Sequence, residues 1–237
     1  MTQLTKAQIS NLPLSHYVSL LRDNKPFSFS RWGDGEWQCI MGKTFTNADG
    51  SLFDNKLRED LLHVLENNKP YYHGMLNIVF DRLDYVPATE IKWYDGDVML
   101  RACLEGELWP MIEQIRKRTV MYIGNHRLTR LTDNFFDIKI YREIPAINAH
   151  RERVVLRRAI HRAIRRKGID FVGYSAGPVS KLLIDDLYGE KVTQIDFGST
   201  FDGFFRPMPN VHPLGGRKFI RSGNHNWGKL LEANTSR

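Results

Sequence analysis

The second half of the chain constrains its fold most, because short β-branched and aromatic runs alternate there with amphipathic stretches. Residues 119–123 form one such run, ending at Gly124, and residues 137–144 form another. Residues 151–167 place apolar side chains at helical spacing and stop at Gly168. A strand is predicted over 169–174, a helix over 178–188 and a further strand over 192–197. Strands separated by helices pair through crossovers, which keep them parallel. The pattern therefore predicts an α/β fold: a mainly parallel sheet with helices on both faces.

The first half fits the same scheme. Residues 5–23 predict an amphipathic helix, with Pro26 ahead of a strand at 27–31. Leu57, Leu61, Leu62 and Leu65 mark a helix over 53–67, and 71–76 reads as a strand. A helical stretch at 97–116 is interrupted by Gly106 and Pro110, which predicts two pieces. At 237 residues the chain fits one large α/β domain or two small ones. A hydrophobic content of 42% excludes a disordered chain. No apolar run nears the ~20 residues needed to cross a bilayer, so no transmembrane segment is expected. The N-terminus lacks the charged and apolar regions of a signal peptide. Cys39 and Cys103 form no CxxC pair, which argues against a structural zinc site or a disulfide framework. A cytoplasmic protein is the expectation. After Gly198 the chain is rich in Gly, Pro, Asn and aromatic residues, and no regular structure is assigned.

The stretch most informative about chemistry is 27–36, FSFSRWGDGE. It reads as a buried strand running into a glycine-flanked turn with two carboxylates, Asp34 and Glu36. In extended backbone, positions two apart point to the same side, so these two are expected to converge on one cation. Gly33 and Gly35 would let an anionic ligand approach the main chain. Carboxylate oxygens suit Mg²⁺ or Mn²⁺, which commonly share their shell with substrate phosphates. The plainer alternative is an Asp-Gly turn with two solvated acids.

Charge is concentrated in one place. Residues 151–167 hold seven arginines and one lysine against the single acid Glu152, an excess equal to the net charge of the whole chain, +7. On a helical wheel Val155, Leu156, Ala159, Ile160, Ala163 and Ile164 form an apolar face, and Arg151, Arg158, Arg162, Arg165 and Arg166 gather opposite. The face is either an ordinary solvated one or a contact for a polyanion: nucleic acid, an anionic membrane surface or an acidic glycan carrier. Arginine favours phosphate, because its fork binds phosphate in a bidentate way. An acidic patch on a partner subunit fits as well.

Residues 173–177, GYSAG, match G-x-S-x-G between a predicted strand and a predicted helix. Ser175 is thus a candidate hydrolase nucleophile, with Asp196 or Asp202 and His212 or His225 to complete a triad. Pro178 directly afterwards fits the first turn of a helix, so the same segment reads as an anion cradle built from Ser175, Gly177 and Pro178. A tight turn requiring small residues is the third reading.

Taken together, these pieces resemble the GT-D-type glycosyltransferases, a bacterial and phage family with a Rossmann-like fold and a DxE metal motif. Residues 30–36, SRWGDGE, look like the family's R-[FW]-G-D-G-E signature. Residues 144–149, IPAINA, are similar to its P-x-x-N-A element. Gly177-Pro178 with Leu182, Leu183, Asp186 and Leu187 resembles its G-P…L…D-L helix start, and residues 194–198, QIDFG, its I-D-[IF]-G strand. The resemblance implies a transferase domain over 1–205; residues 206–237 have no match in the family pattern and are expected as a C-terminal extension packed on the same domain. The resemblance also implies transfer of a sugar from a nucleotide-diphosphate sugar, a UDP-sugar in the first instance, to an acceptor hydroxyl. Asp34 and Glu36 would hold Mn²⁺ or Mg²⁺. Arg31, Gly33, Gly35, Asn148, Ser175, Gly177 and Pro178 would serve the donor, and Asp196 or Asp202 would activate the acceptor. The arginine-rich helix makes a hydroxymethylated base in DNA one candidate acceptor; surface glycans and glycoproteins are the other. Two places depart from the family pattern: residues 124–127, GNHR, and 199–202, STFD. The tail carries interleaved His212, Arg217, Lys218, Arg221, His225 and Trp227, suited to a nucleic acid or sugar, or to covering the core.

Overall fold

The structure is a computed structural model that describes residues 3–47 and 49–202. A 3₁₀ turn (Lys6–Gln8) precedes α1 (Leu14–Arg22), β1 (Ser28–Trp32) and α2 (Asp34–Ile40). A small hairpin, β2 (Phe45–Thr46) and β3 (Leu52–Phe53), leads to α3 (Asn55–Asn67), β4 (Tyr72–Met75), α4 (Asn77–Arg82) and β5 (Trp93–Asp95). Next come α5 (Val98–Glu105), α6 (Trp109–Arg116), β6 (Val120–Gly124), α7 (Leu131–Asn134) and β7 (Ile138–Glu143). The chain ends its regular structure with α8 (Arg153–Lys167), β8 (Phe171–Ser175), α9 (Val179–Asp186) and β9 (Thr193–Asp196).

Local chemistry sets many of these boundaries. Asp54 caps α3 by accepting the Leu57 N–H at 2.9 Å. Gly106 and Gly168 end α5 and α8 in the left-handed region that glycine tolerates best. Gly106 and the Pro110 start of α6 divide the 97–116 stretch in two, as its sequence predicts. The 5–23 helix is shorter than expected, because Pro13 confines α1 to its second half.

Seven strands form one sheet in the order β5-β4-β1-β9-β8-β6-β7, and every pairing among them is parallel. Strands β1, β6, β8 and β9 are buried along their whole length, as sheets covered on both faces require. On one face Tyr17 and Leu21 of α1, Met99 of α5 and Ile112 of α6 pack on Phe29, Tyr122 and Phe171. On the other, Leu57 and Leu61 of α3, Leu182 of α9, and Leu156 and Ile160 of α8 form two further clusters. The α/β fold with helices on both faces is therefore as the sequence predicts.

The strand order decides where a ligand can sit. The chain builds outward from β1 through β4 to β5, crosses to β6 and β7, and returns through β8 to lay β9 beside β1. The carboxyl ends of β1 and β9 thus meet where the order reverses, the place at which open parallel sheets take their ligands. The extension at 206–237, with His212 and His225, lies outside the described residues.

Candidate active site at the strand tips

A cavity of about 460 Å³ opens over the carboxyl ends of β6, β7 and β8. The β8–α9 turn supplies Ser175, Ala176, Gly177 and Pro178, and Gly198, Ser199 and Asp202 follow β9. Asn125, His126 and Arg127 come from the end of β6, and the hairpin loop adds Asn47, Asp49 and Ser51. His150, also on the wall, is buried, and burial lowers its pKa below the usual histidine value, as does Arg151, against the opposing pull of Asp54 and Asp60. Nothing in the local sequence pattern marked His150 or the 47–51 loop; their place depends on a fold contact between segments far apart. Asn148 makes that contact. Its Oδ1 accepts the Leu52 N–H at 2.7 Å and its own N–H donates to Ser51 Oγ at 3.1 Å. Asn148 is thus a clamp between two cavity walls rather than a lining residue.

Behind the cavity floor lies a buried charge network. Lys181 is 5% exposed, yet its ammonium sits 2.9 Å from Glu36 and 3.1 Å from the fully buried Asp196. Burial works against that ammonium, but Asp196 and Glu36 outweigh it and raise its pKa above the usual lysine value. The other Glu36 oxygen accepts the Gly33 N–H at 3.1 Å. Asp196 also accepts from Gly198 N–H at 3.0 Å. Asp196 has both oxygens engaged and no exposure, whereas Asp202 lies on the cavity wall.

Arg31 is a brace. Its Nε donates to the Gly96 carbonyl at 2.9 Å and its Nη1 to the Phe197 carbonyl at 2.5 Å. Gly198 has φ +52, and a Cβ there would run into Arg31 Nη1, so this position suits glycine on both counts. Gly33 and Gly35 have no such need. Neither lies in the left-handed region, and neither lines the cavity; a Cβ on Gly35 would make ordinary contact with the Phe53 ring.

The expected extended turn at Asp34 and Glu36 is a helix. Both belong to the first turn of α2, where two positions apart means roughly 200° around the axis. The carboxylates therefore diverge: Glu36 turns inward to Lys181, and Asp34 meets Arg82 of α4 at 2.7 Å. Among the described residues no three His, Cys, Asp or Glu side chains are grouped to hold an ion. The donor chemistry still suits a hard divalent ion in kind. Asp34 and Arg82 are both partly exposed, and such a pair contributes little that an ion would have to overcome. Any remaining ligands would come from substrate phosphates.

Among the described residues the hydrogen-bond partner of Ser175 is not a histidine. Its Oγ is 2.8 Å from the Tyr122 hydroxyl, whose pKa burial pushes well above the usual tyrosine value. A nucleophile elbow needs a histidine there. The segment instead forms a compact strand-to-helix turn, with Gly177 at φ +62, on the cavity wall.

The arginine helix departs from its expected wheel in two ways. Val155 is 52% exposed and faces outward, whereas Leu156, Ile160 and Ala163 are buried and Ile164 packs against their cluster. Acids from other elements also reach the basic face: Asp54 lies 3.6 Å from Arg151, and Glu190 lies 3.6 Å from Arg165. No described helix is long and apolar enough to cross a membrane.

Three solved structures share this architecture. One is a selenomethionine-substituted domain of unknown function 1792, with a TM-score of 0.64, 14% identity, and coverage of 93% of this chain and 91% of that one. A second, described as the highly conserved domain 1792 with a distinct glycosyltransferase fold, gives a TM-score of 0.61 at 13% identity over the same shares, 93% and 91%. The third, described as a new glycosyltransferase of this domain type from Streptococcus sanguinis, gives 0.63 at 16% identity over 90% of this chain and 92% of that one. No protein-family profile and no curated protein matches the sequence. At such identities the likeness establishes the fold: an α/β architecture of glycosyltransferase type.

Proposed function

We propose that this chain is a glycosyltransferase that takes a nucleotide-diphosphate sugar, in the first instance a UDP-sugar, into the cavity at the strand tips. The observation that carries this reading is the cavity's position. It lies over the carboxyl ends of β6, β7 and β8 in a glycosyltransferase-type sheet, bounded by the β8–α9 turn and by Gly198, Ser199 and Asp202 after β9, the strand that pairs with β1 at the order reversal. The start of α9, with no acid in its first turn, suits a diphosphate. Ser175, Gly177 and Pro178 shape that end of the pocket. In the reaction an acceptor oxygen attacks the anomeric carbon, and the bond from that carbon to the diphosphate oxygen breaks. Its electron pair leaves with the nucleotide, and Asp202 takes the acceptor's proton. Asp34, the more exposed of the two carboxylates, would hold Mn²⁺ or Mg²⁺ together with substrate phosphates while Glu36 stays on Lys181 and the Gly33 N–H, and the ion when bound would supply positive charge to the leaving diphosphate. A hydroxymethylated base in DNA is the acceptor favoured by the arginines of α8.

The test is a thermal-shift panel of nucleotide sugars with and without Mn²⁺. Stabilisation by one donor, lost with chelator and in Asp34→Asn, is expected. Ser175→Ala should weaken donor binding by no more than about tenfold, the scale of one hydrogen bond. No response to any donor, together with a covalent Ser175 adduct from a serine-hydrolase probe, would replace this reading with the hydrolase one.

A further inference from the structure

The outward face of α8 binds a phosphate polymer and leads it toward the cavity. We infer this from three observations, and it rests on the transferase reading only for its direction. First, Arg157, Arg158, Arg162 and Arg166 are exposed, and among the described residues none has a carboxylate within ion-pair distance. Arg153, by contrast, is turned inward and held by Asp186 at 2.8 Å and Asp60 at 3.0 Å. Residues 203–237 hold six basic residues against the single acid Glu232, so their composition does not supply the missing counter-charge.

Second, spacing suits a regular anion. Arg158, Arg162 and Arg166 recur every four residues, a rise of roughly 6 Å per step. Alternate phosphates along one DNA strand recur at roughly 6.8 Å. Arginine forks take phosphate oxygens in pairs. Third, α8 begins at the cavity. Ala149 and His150 line it, and the 3₁₀ turn Ala149–Glu152 runs directly into Arg153. A polymer on the helix has its path toward the site laid out.

An anionic membrane fits less well. An interfacial helix must turn a broad apolar face to the lipid, but Leu156, Ile160 and Ala163 are committed to the core. Of its large apolar residues only Val154 and Val155 remain exposed.

The experiment is fluorescence anisotropy of a fluorescein-labelled 20-nucleotide single strand, titrated with the full chain across a salt series and without donor. Binding is expected with a slope of log affinity against log salt of about −3, as four phosphate contacts on a single strand require. Arg158→Glu/Arg162→Glu should weaken it at least tenfold, and Arg158→Gln/Arg162→Gln by a smaller factor. Arg22→Glu/Lys25→Glu, the same charge change at the far end of α1, should leave it within twofold. Melting by circular dichroism checks that the variants are folded. Equal losses in both charge-reversal pairs would overturn the inference, as would salt-independent binding. So would binding to phosphatidylserine vesicles with none to DNA. Because no donor is present, failure here leaves the donor-site reading standing, and a silent donor panel leaves this one standing.

Discussion

His73 shows how strongly single side chains are committed in this sheet. It lies in β4, stacked at 3.9 Å on the Tyr71 ring, with Nε2 donating to the Lys69 carbonyl at 3.1 Å. Among the described residues its buried Nδ1 has no hydrogen-bond partner. Burial lowers its pKa from 6.5 to about 4, against the opposing pull of the Lys69 carbonyl and Asp185. The folded value lies below the unfolded one. His73 therefore adds stability that is fully present above about pH 6.5 and is lost as pH falls toward about 4. The loss is on the order of 3 kcal/mol. Urea melts across this range should show it, and His73→Phe should flatten the wild-type slope. Residue identities at the site were partly legible in the sequence. Asp34, Glu36, Ser175 and Gly177 stand out by motif, whereas Asp202 lies in a segment that departs from the family pattern. Their roles do not stand out, because partners lie far along the chain: Arg31 meets Gly96 and Phe197, and Glu36 meets Lys181. No local pattern marks Lys181 as the cation between two buried carboxylates. Removing one member of such a set strands the others, so its members are chosen together.

Elements were legible where periodicity is long and blurred where it is short. The helices over 53–67 and 151–167 and the strands of the second half match α3, α8 and β6 through β9 closely. Helix α2 was missed because two glycines in its neighbourhood, at 33 and 35, signal a turn, whereas burial of Trp37, Cys39 and Ile40 decides for a helix. That single change of backbone state turns two converging carboxylates into diverging ones. Strand β5 and helix α4 are too short, at three and six residues, to carry a period. Capping gives an element-scale prediction. Asp54 accepts the Leu57 N–H, which lowers its pKa, and it also lies 3.6 Å from Arg151. Asp54→Ala should cost about 1 kcal/mol, read as a lower urea midpoint at unchanged slope. Asp54→Ser, which can still cap, should recover most of the loss; if it does not, the Arg151 contact rather than the cap carries the effect.

At the scale of the molecule, the strand order is what no local signal could specify. Alternating strands and helices predict a parallel sheet, but they do not say that β9 comes home beside β1. That return brings Asp196 and Gly198 to Arg31 and Glu36, and so joins the first and last thirds of the fold beneath the cavity. The cavity walls are drawn from the same distant parts: the 47–51 loop, the ends of β6 and β7, and the β8–α9 turn. A donor bound there touches segments that separate on unfolding, so its binding energy is linked to global stability. At a donor concentration 100 times its Kd, the added stability is about 2.7 kcal/mol. For a chain of this size that corresponds to a rise in Tm of roughly 5–11 °C. The same saturation should slow hydrogen exchange in the 47–51 loop and at the β8–α9 turn together, because Asn148 couples the loop to the opposite wall. In Asn148→Ala the two regions should uncouple, with protection kept at the turn and lost in the loop. Protection of the loop alone would place the donor on the hairpin side and remove the α9 start from its binding.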